Sequence, residues 1–396
     1  MLNKSLIVAA KRTPIGSFQG ILSPFSAPEL GAKVFENIIQ NFPMKNFFVD
    51  EVIMGNVLSA GLGQAPARQA AIFSGISSKV PSLTINKMCG SGLKAIILAD
   101  RAIKCQDAHA VLAGGMESMS NTPFLLSDYR SGKRLGHTKI IDSMLHDGLW
   151  DVYNNKHMGN CAEKLVKKRK FTREDQDNFA KKSYMKAQKA QESSAFNKEI
   201  VPVRLKDKKY GKILVARDEE PTKVDFEKIP TLKPAFEKSG TITAANASTI
   251  NDGAAAVLLM SENKVKKLGI NPIAKIISHI SYSHEPEWFT TAPVEAIKLV
   301  LKKSGLNLDQ IGLWEINEAF SCVTMAAIDD LGIDENKVNI NGGSVAIGHP
   351  IGASGARILT TLIHAMITRK ERYGLASLCI GGGEASAMII ENYDSV

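Results

Sequence analysis

The sequence predicts an α/β protein made of two duplicated halves, each a parallel or mixed sheet flanked by helices, with a segment of different texture inserted between them. Three observations predict this. Short β-favouring runs alternate with helix-period runs at both ends of the chain. Four segments recur in the same order at a nearly constant offset. The stretch from Met119 to about Gly240 is Lys-rich and poor in long buried strands. At 396 residues the chain exceeds one comfortable core, so two or three domains are expected.

Leu6-Ile7-Val8-Ala9-Ala10 reads as the first strand. Ala27-Pro28-Glu29-Leu30 opens a helix running to about Ile39, and Ala292-Pro293-Val294-Glu295 echoes it, with proline in the first turn of each. The strand Glu51–Met54, ending at Gly55-Asn56, is echoed by Gly312–Glu315, ending at Ile316-Asn317. Ser91-Gly92-Leu93-Lys94 and Ser354-Gly355-Ala356-Arg357 each open an apolar helix. Val111–Glu117 (VLAGGME) is echoed by Leu378–Glu384 (LCIGGGE), which sets Cys379 in the place of Leu112. In the middle, Thr172 is an N-cap with Asp175 three residues on, and Lys208-Lys209-Tyr210-Gly211-Lys212 reads as a hairpin turn. Thr243–Leu259 returns to an Ala/Gly-rich buried texture and rejoins the first half. The expected division is therefore 1–118 plus 241–270, an insertion over 119–240, and 271–396.

Hydrophobic residues make up 44% and charged residues 22%, as in ordinary soluble globular proteins. Ala95–Ala99 and Ile358–Ile367 are too short or interrupted to span a bilayer, so no membrane association is expected. The first residues lack a signal-peptide pattern and an Arg/Ser-rich import leader. Cys89, Cys105, Cys161, Cys322 and Cys379 form no CxxC pair and no metal-ligand spacing. Such a scattered, odd set predicts reduced thiols in the cytoplasm and no metal site. Net charge is +9, concentrated in Lys164, Lys167, Lys168, Arg169, Lys170 and Arg173, then Lys206, Lys208, Lys209 and Lys212. Aromatic residues are not interleaved with these cations, so nucleic acid is not the expected partner. Solvated helix faces account for most of them, and attraction of a small phosphorylated polyanion for part.

Cys89 sits in Asn86-Lys87-Met88-Cys89-Gly90-Ser91-Gly92, between the β-favouring Ser82–Ile85 and the amphipathic Leu93–Ala99. A sharp strand-to-helix turn presents such a residue as a nucleophile, with glycines to bend the backbone and admit a substrate. The positive end of the helix favours thiolate over thiol. A small cysteine that merely packs fits the same local pattern. His349 lies in a loop with glycines at 342, 343, 348, 352 and 355. As a phosphate cradle this loop lacks the Lys-Ser/Thr ending of a P-loop and the strand of a dinucleotide fingerprint; as a rigid mount for a histidine it is well made. Cys379 is a second thiol at a strand end, followed by Gly381-Gly382-Gly383, whose N–H groups are placed to hold an oxyanion; structural burial is the plain alternative. Asn317 lies at a strand end of the second half, where α/β sheets put functional groups.

Together these segments closely resemble the thiolase family: NKMCGSG (86–92), GGMESMS (114–120), NASTINDGA (246–254), NEAF (317–320), GHPIGASG (348–355) and CIGGG (379–383). The resemblance covers essentially the whole chain. It implies two βαβαβαββ halves stacked into a five-layered α/β/α/β/α core, an inserted loop domain for coenzyme A (CoA) binding and tetramerisation, and a homotetramer of tight dimers. It implies an acetyl-CoA C-acetyltransferase activity of the short-chain, biosynthetic type, condensing two acetyl-CoA into acetoacetyl-CoA plus CoA, or the reverse, by ping-pong chemistry. Cys89 would carry the acyl group, His349 would activate it, and Cys379 would move the proton at the α-carbon. His349 and a water on Asn317 would hold the enolate oxygen. The N–H groups of Cys89 and Gly381 would hold the acyl oxyanion. Leu149, His157, Met158, Ala235, Phe236, Ala244, Ser248 and Ala319 would line the CoA and acyl site, with Met158 and Phe320 closing a short acyl pocket. No metal and no resident cofactor is implied; the CoA thioester is the substrate.

The chain departs from the family pattern at three places. Lys223 stands where relatives often stack an arginine on adenine, and a lysine cannot stack as a flat cation. Pro286–Pro293 replaces a Met-Gly-containing stretch at the pantetheine tunnel. Pro221 stands where potassium-activated relatives carry a tyrosine, so no potassium site is expected. The rival readings are a broader 3-ketoacyl-CoA thiolase, a decarboxylating ketoacyl synthase, a Cys/His/Asn protease and a non-catalytic thiolase-fold scaffold. The second cysteine disfavours the synthase and the protease. The presence of Cys89, His349 and Cys379 disfavours the scaffold.

Overall fold

The computed structural model describes residues 4–41, 49–207 and 211–393. The nine main strands are β1 (Ser5–Arg12), β2 (Glu51–Gly55), β3 (Ser82–Ile85), β4 (Ala110–Ser118), β5 (Asn251–Ser261), β6 (Ala274–Ser283), β7 (Leu313–Ile316), β8 (Tyr373–Ile380) and β9 (Glu384–Asn392). The main helices are α1 (Ala27–Gln40), α2 (Pro66–Phe73), α3 (Ser91–Lys104), α4 (Met158–Arg169), α5 (Arg173–Glu192), α6 (Ala292–Ser304), α7 (Ser321–Leu331) and α8 (Ile351–Arg369). The strands run β7-β8-β9-β6-β1-β5-β4-β2-β3 in one hydrogen-bonded ladder. Within it β2 pairs parallel with β3 and β4, and β7 parallel with β8, while the remaining pairs are antiparallel. The two half-sheets meet where Leu6 and Ile7 of β1 pair with Lys275 and Ala274 of β6.

The helices make the layers. α1 and α2 cover the outer face of the first half-sheet, burying Leu30, Val34, Phe35 and Ile38 against Val52, Met54 and Leu258. α6 and α7 cover the outer face of the second, around Ile297, Val300, Trp314 and Ile389. Between the half-sheets lie α3 and α8, which bury Leu93, Ile96 and Ile97 with Ile358, Leu359 and Leu362. Five layers result, as the family resemblance implies. α3 and α8 cross at Gly92 and Gly355: a Cβ on Gly92 would stand 2.8 Å from the Ala356 nitrogen, and one on Gly355 would stand 2.5 Å from that of Leu93. Only glycine lets the two backbones approach this closely.

Two details of the predicted repeat change. α8 begins at Ile351, one turn before the predicted start at Ser354, because Pro350 and the loop behind it already set the first turn. Matching bulges between Ile7 and Ala9 and between Ile276 and Ser278 fix how the halves correspond. Followed along the ladders, Val111 then corresponds to Gly374, so Cys379 corresponds to Met116 and not to Leu112. The glycine echo had slipped by an even number of residues. An even slip leaves the alternation of faces intact, so periodicity cannot reveal it.

β5 lies between β1 and β4 in the sheet. The middle region is fastened to the core by a buried cation. Arg12 donates from Nε to Glu199 Oε1 at 2.6 Å and from Nη1 to Asp218 Oδ1 at 2.6 Å. Thr172 caps α5 through a capping box with Asp175, at 3.0 and 2.8 Å. Val203–Asp207 and Gly211–Val215 pair antiparallel, and the predicted turn at 208–210 lies outside the described residues. Four cations of the first basic cluster are paired: Lys167 with Glu237, Arg169 with Asp330, Arg173 with Asp177, and Lys164 with Glu287. Lys164 and Lys168 also lie over the Trp288 ring, at 4.5 and 4.4 Å. Among the described residues no helix is long and apolar enough to cross a membrane, and no group of His, Cys, Asp and Glu is arranged to hold a metal.

Candidate active site

β3 ends at Ile85 and α3 begins at Ser91, so Cys89 stands in the turn that the sequence predicts. The backbone reversal is carried by Met88, at φ +47, and not by the glycines. A non-glycine residue in the left-handed region costs on the order of 1–3 kcal/mol and is kept where the surroundings demand it. Here Ser91 Oγ accepts from Lys87 N at 2.8 Å and donates to Met88 O at 2.7 Å, tying the turn shut. Gly90 has φ −80; a Cβ there would stand 2.3 Å from Ile380 Cδ1, so any larger residue would have to displace that side chain. The glycines therefore admit the other half of the protein and do not bend the chain.

Cys89 and His349 line one cavity of about 200 Å³. Leu149, His157, Met158, Phe236, Ser248, Ala319, Phe320 and Gly381, all predicted from the resemblance, line it too. Its walls also include Met119, Ala247, Ile250 and Ile351, which the sequence reading did not single out, and Phe289 of the 286–293 segment. The apolar side is aromatic: Phe236 stacks on His157 at 4.7 Å, and Phe320 meets Phe236 and Phe289 edge-on. His157 caps α4, accepting from Gly159 N through Nδ1 at 2.9 Å, which leaves Nε2 as its proton-bearing nitrogen. Burial lowers the pKa of His157, so it is neutral.

His349 is 6% exposed and firmly held. Gly348 takes φ +112, and the His349 N–H donates to Asn251 Oδ1 at 2.8 Å. The Ser354 hydroxyl donates to Pro350 O at 2.8 Å and lies 2.5 Å from His349 Nδ1. Because the serine proton is committed to Pro350, Nδ1 carries the imidazole proton and Nε2 keeps its lone pair. Burial, aided by the nearby Arg357 charge, lowers the pKa of His349 to about 3. The ring is neutral at physiological pH, as a base must be before it accepts a proton.

The thiols differ from expectation. The N–H groups of Gly381 and of Cys89 itself favour the Cys89 thiolate, as the turn geometry predicts, but burial outweighs them and pushes the thiol up to about 11. Glu117 adds a smaller push in the same direction. Cys379 is 1% exposed and packs behind the wall with Phe320, Ala319 and Cys322. Burial, then the neighbouring sulfurs of Cys89 and Cys322, raise it well above the usual thiol range. Both cysteines are neutral at rest.

Asn317 is buried behind the cavity wall. Its Oδ1 accepts from Ser344 Oγ at 2.5 Å, while Nδ2 has no partner among the described residues. That free donor suits the water that the resemblance implies. Ala235 and Ala244 are exposed and, like Lys223, are not part of the cavity lining. Lys223 is engaged elsewhere: its Nζ donates to Ser17 Oγ at 2.6 Å and Glu219 Oε1 at 2.7 Å. The second glycine motif has a use the sequence reading missed. Glu117 accepts from Asn56 Nδ2, Val57 N, Leu58 N and Gly352 N at 2.6–3.1 Å, tying the first half to the start of α8. Three backbone donors to one buried carboxylate are not visible in a sequence.

The chain matches known proteins over nearly its full length. Residues 5–263 match the thiolase N-terminal domain and residues 270–392 the thiolase C-terminal domain. It is 49% identical over 386 residues to an acetyl-CoA acetyltransferase of Pseudomonas aeruginosa, covering 97% of this chain and 98% of the relative. It is 48% identical over 391 residues to a mitochondrial acetyl-CoA acetyltransferase of Bos taurus, covering 98% and 92%. The crystal structure of Acat5 thiolase from Ascaris suum in complex with coenzyme A superposes with a TM-score of 0.93 at 46% identity, covering 98% of this chain and 100% of that one. A duplicated five-layered fold, a cysteine and a glycine-mounted histidine on one cavity with a second thiol behind its wall, and these full-length matches agree: the chain belongs to the thiolase family.

Proposed function

We propose that this chain is an acetyl-CoA C-acetyltransferase that interconverts two acetyl-CoA with acetoacetyl-CoA plus CoA through an S-acetyl-Cys89 intermediate. The observation that carries the reading is the buried His349 ring, held through Nδ1 at 2.5 Å from Ser354 Oγ, on the cavity that Cys89 also lines. In thiolysis, His349 Nε2 takes the Cys89 proton as the sulfur attacks the 3-keto carbon. The N–H groups of Cys89 and Gly381 meet the oxyanion. The C2–C3 bond then breaks, leaving the acetyl group on Cys89 and the electron pair on the acetyl-CoA enolate. His349 Nε2–H and a water on Asn317 Nδ2 face that enolate oxygen. Cys379 gives its proton to the α-carbon, and regains one from the incoming CoA thiol. The CoA sulfur takes the acetyl group, and His349 returns the proton to Cys89. A thiol with a raised pKa suits the acid role of Cys379 in this direction. Condensation is the same path reversed.

Met158, Phe236, Phe289 and Phe320 around the cavity support a short acyl group. The CoA thioester is a substrate and not a resident cofactor. Its adenosine end reaches the insertion in this reading, with Lys223 as the weaker adenine contact; a CoA affinity unchanged in Lys223→Arg counts against that role. We divide the chain into 1–118 plus 241–270, the 119–240 loop domain and 271–396, on the support of β5 inside the first half-sheet and Arg12 gripping the insertion. A homotetramer is supported by the exposed Phe124, Leu126, Leu135, Ile140 and Tyr153 of the insertion, large apolar side chains that a monomer would leave in water. Five free thiols suit a reducing compartment, the cytoplasm in this reading. The test is a thiolysis assay across acetoacetyl-CoA, its 2-methyl analogue and longer 3-ketoacyl-CoAs. A steep fall in kcat/KM with chain length is expected; equal rates at long chain length overturn the short-chain assignment.

A further inference from the structure

Arg357 lies on α8, wholly buried in the central layer. Its Nη2 donates to Ser344 Oγ at 2.7 Å, and Ser344 Oγ lies 2.5 Å from Asn317 Oδ1. A guanidinium only donates, so it occupies a lone pair of the serine and leaves that hydroxyl its own proton to give. The Asn317 carbonyl is the acceptor the structure supplies for it. This chain of donors fixes which way the Asn317 amide points: Oδ1 toward Ser344, Nδ2 toward the side without a protein partner.

The charge of Arg357 is only loosely answered. Glu315 Oε2 is 3.6 Å from Nη1, and burial pushes that carboxyl up to about 8 although Arg357 pulls the other way. The other charged groups facing Arg357 are Arg12, Glu199 and Asp218, and Arg12 already binds both carboxylates directly. A positive charge therefore sits behind Asn317, near enough to His349 to oppose protonation of its ring.

We propose that Arg357, acting through Ser344, is a positioning residue: it orients the Asn317 amide and sets a buried positive charge behind the place where the enolate oxygen becomes negative. The inference rests on the acetyl-transfer reading above. A preorganised donor and charge cost no rearrangement when the anion forms, which is where such groups gain their effect. Arg357 touches no reacting atom; Ser344 and Asn317 stand between.

The test uses the full-length protein with acetoacetyl-CoA and CoA, recording kcat, KM, the pH profile and the acetylation of Cys89 by intact mass. Wild-type protein that neither acetylates nor turns over overturns the reading itself, whatever the variants do. Given an active wild type, Ser344→Ala breaks the relay without touching the charge: kcat falls about tenfold, KM stays within about twofold, Cys89 still acetylates, and the acid limb of the profile stays in place. Arg357→Gln removes the charge as well: kcat falls about a hundredfold and the acid limb moves to higher pH. Arg357→Lys brings the limb back without restoring kcat, since an ammonium does not set a donor where the planar guanidinium holds Nη2 against Ser344 Oγ. Ser344→Ala with wild-type kcat overturns the proposal, as does a folded Arg357→Gln whose acid limb does not move. Should Arg357→Gln fail to fold, the kcat of Ser344→Ala decides alone.

Discussion

Ser354 Oγ stands 2.5 Å from His349 Nδ1 while giving its own proton to the Pro350 carbonyl at 2.8 Å. The hydroxyl thereby selects the tautomer of the histidine. Ser354→Ala removes the acceptor for Nδ1–H and leaves that donor buried, so both tautomers become accessible. We expect a loss of about 10–100-fold in kcat with a folded protein and KM little changed, read by steady-state thiolysis. Ser354→Thr keeps the hydroxyl, and partial recovery in it separates tautomer control from packing.

His349 also makes the fold acid-sensitive. Its folded pKa is lowered to about 3 from an ordinary 6.5, so between those values the unfolded chain binds the proton more readily. The stability tied to the neutral ring is complete above about pH 6.5 and is lost as pH falls toward 3. At pH 5 the loss from this residue is about 2 kcal/mol. His349→Asn lacks this term. Urea melts at pH 7.5 and pH 5 are therefore expected to show a smaller drop in the variant than in the wild type. Equal drops contradict the assignment.

The raised pKa of Cys89 has a direct reading in solution. Below its pKa the thiolate fraction grows tenfold per pH unit. Alkylation of Cys89 by iodoacetamide in the free protein is expected to speed up about a hundredfold between pH 7 and pH 9, without a plateau. A plateau below pH 8 means that the turn, and not burial, controls this thiol.

The crossing of α3 and α8 gives a stability test away from the chemistry. Gly92→Ala sets a methyl group 2.8 Å from the Ala356 nitrogen and 3.0 Å from the Gly352 carbonyl oxygen, both backbone atoms. Gly355→Ala meets the Leu93 nitrogen at 2.5 Å. Each is expected to destabilise by about 1–3 kcal/mol, despite the better helix propensity of alanine. Chemical denaturation of both variants checks it, and an unchanged midpoint contradicts the close crossing.

The layered fold was legible because alternation, proline at two helix starts and the Thr172 capping box are local signals. Cys89 and His349, singled out on glycine-rich surroundings that are unusual for residues that only pack, share one cavity. The state of the thiols was not legible: a helix start beside Cys89 is local, whereas the burial that outweighs it comes from residues distant in sequence, among them Val57, Met119 and Ile351. The match of Cys379 to Met116 was hidden because an even slip preserves the facing pattern. Glu117, Ser354 and Ser344 act through partners far away in sequence or through one exact hydroxyl direction, which spacing does not encode.

The central claim is a division of labour between two thiols, one holding the acyl group and the other moving the proton. Intact-mass measurement of Cys379→Ala after mixing with acetyl-CoA, beside Cys89→Ala, tests it most directly. One acetyl group on each chain of Cys379→Ala, with acetoacetyl-CoA formation abolished, and no acetylation of Cys89→Ala, is the predicted result. Normal turnover in Cys379→Ala, or an acetyl group retained in Cys89→Ala, contradicts it.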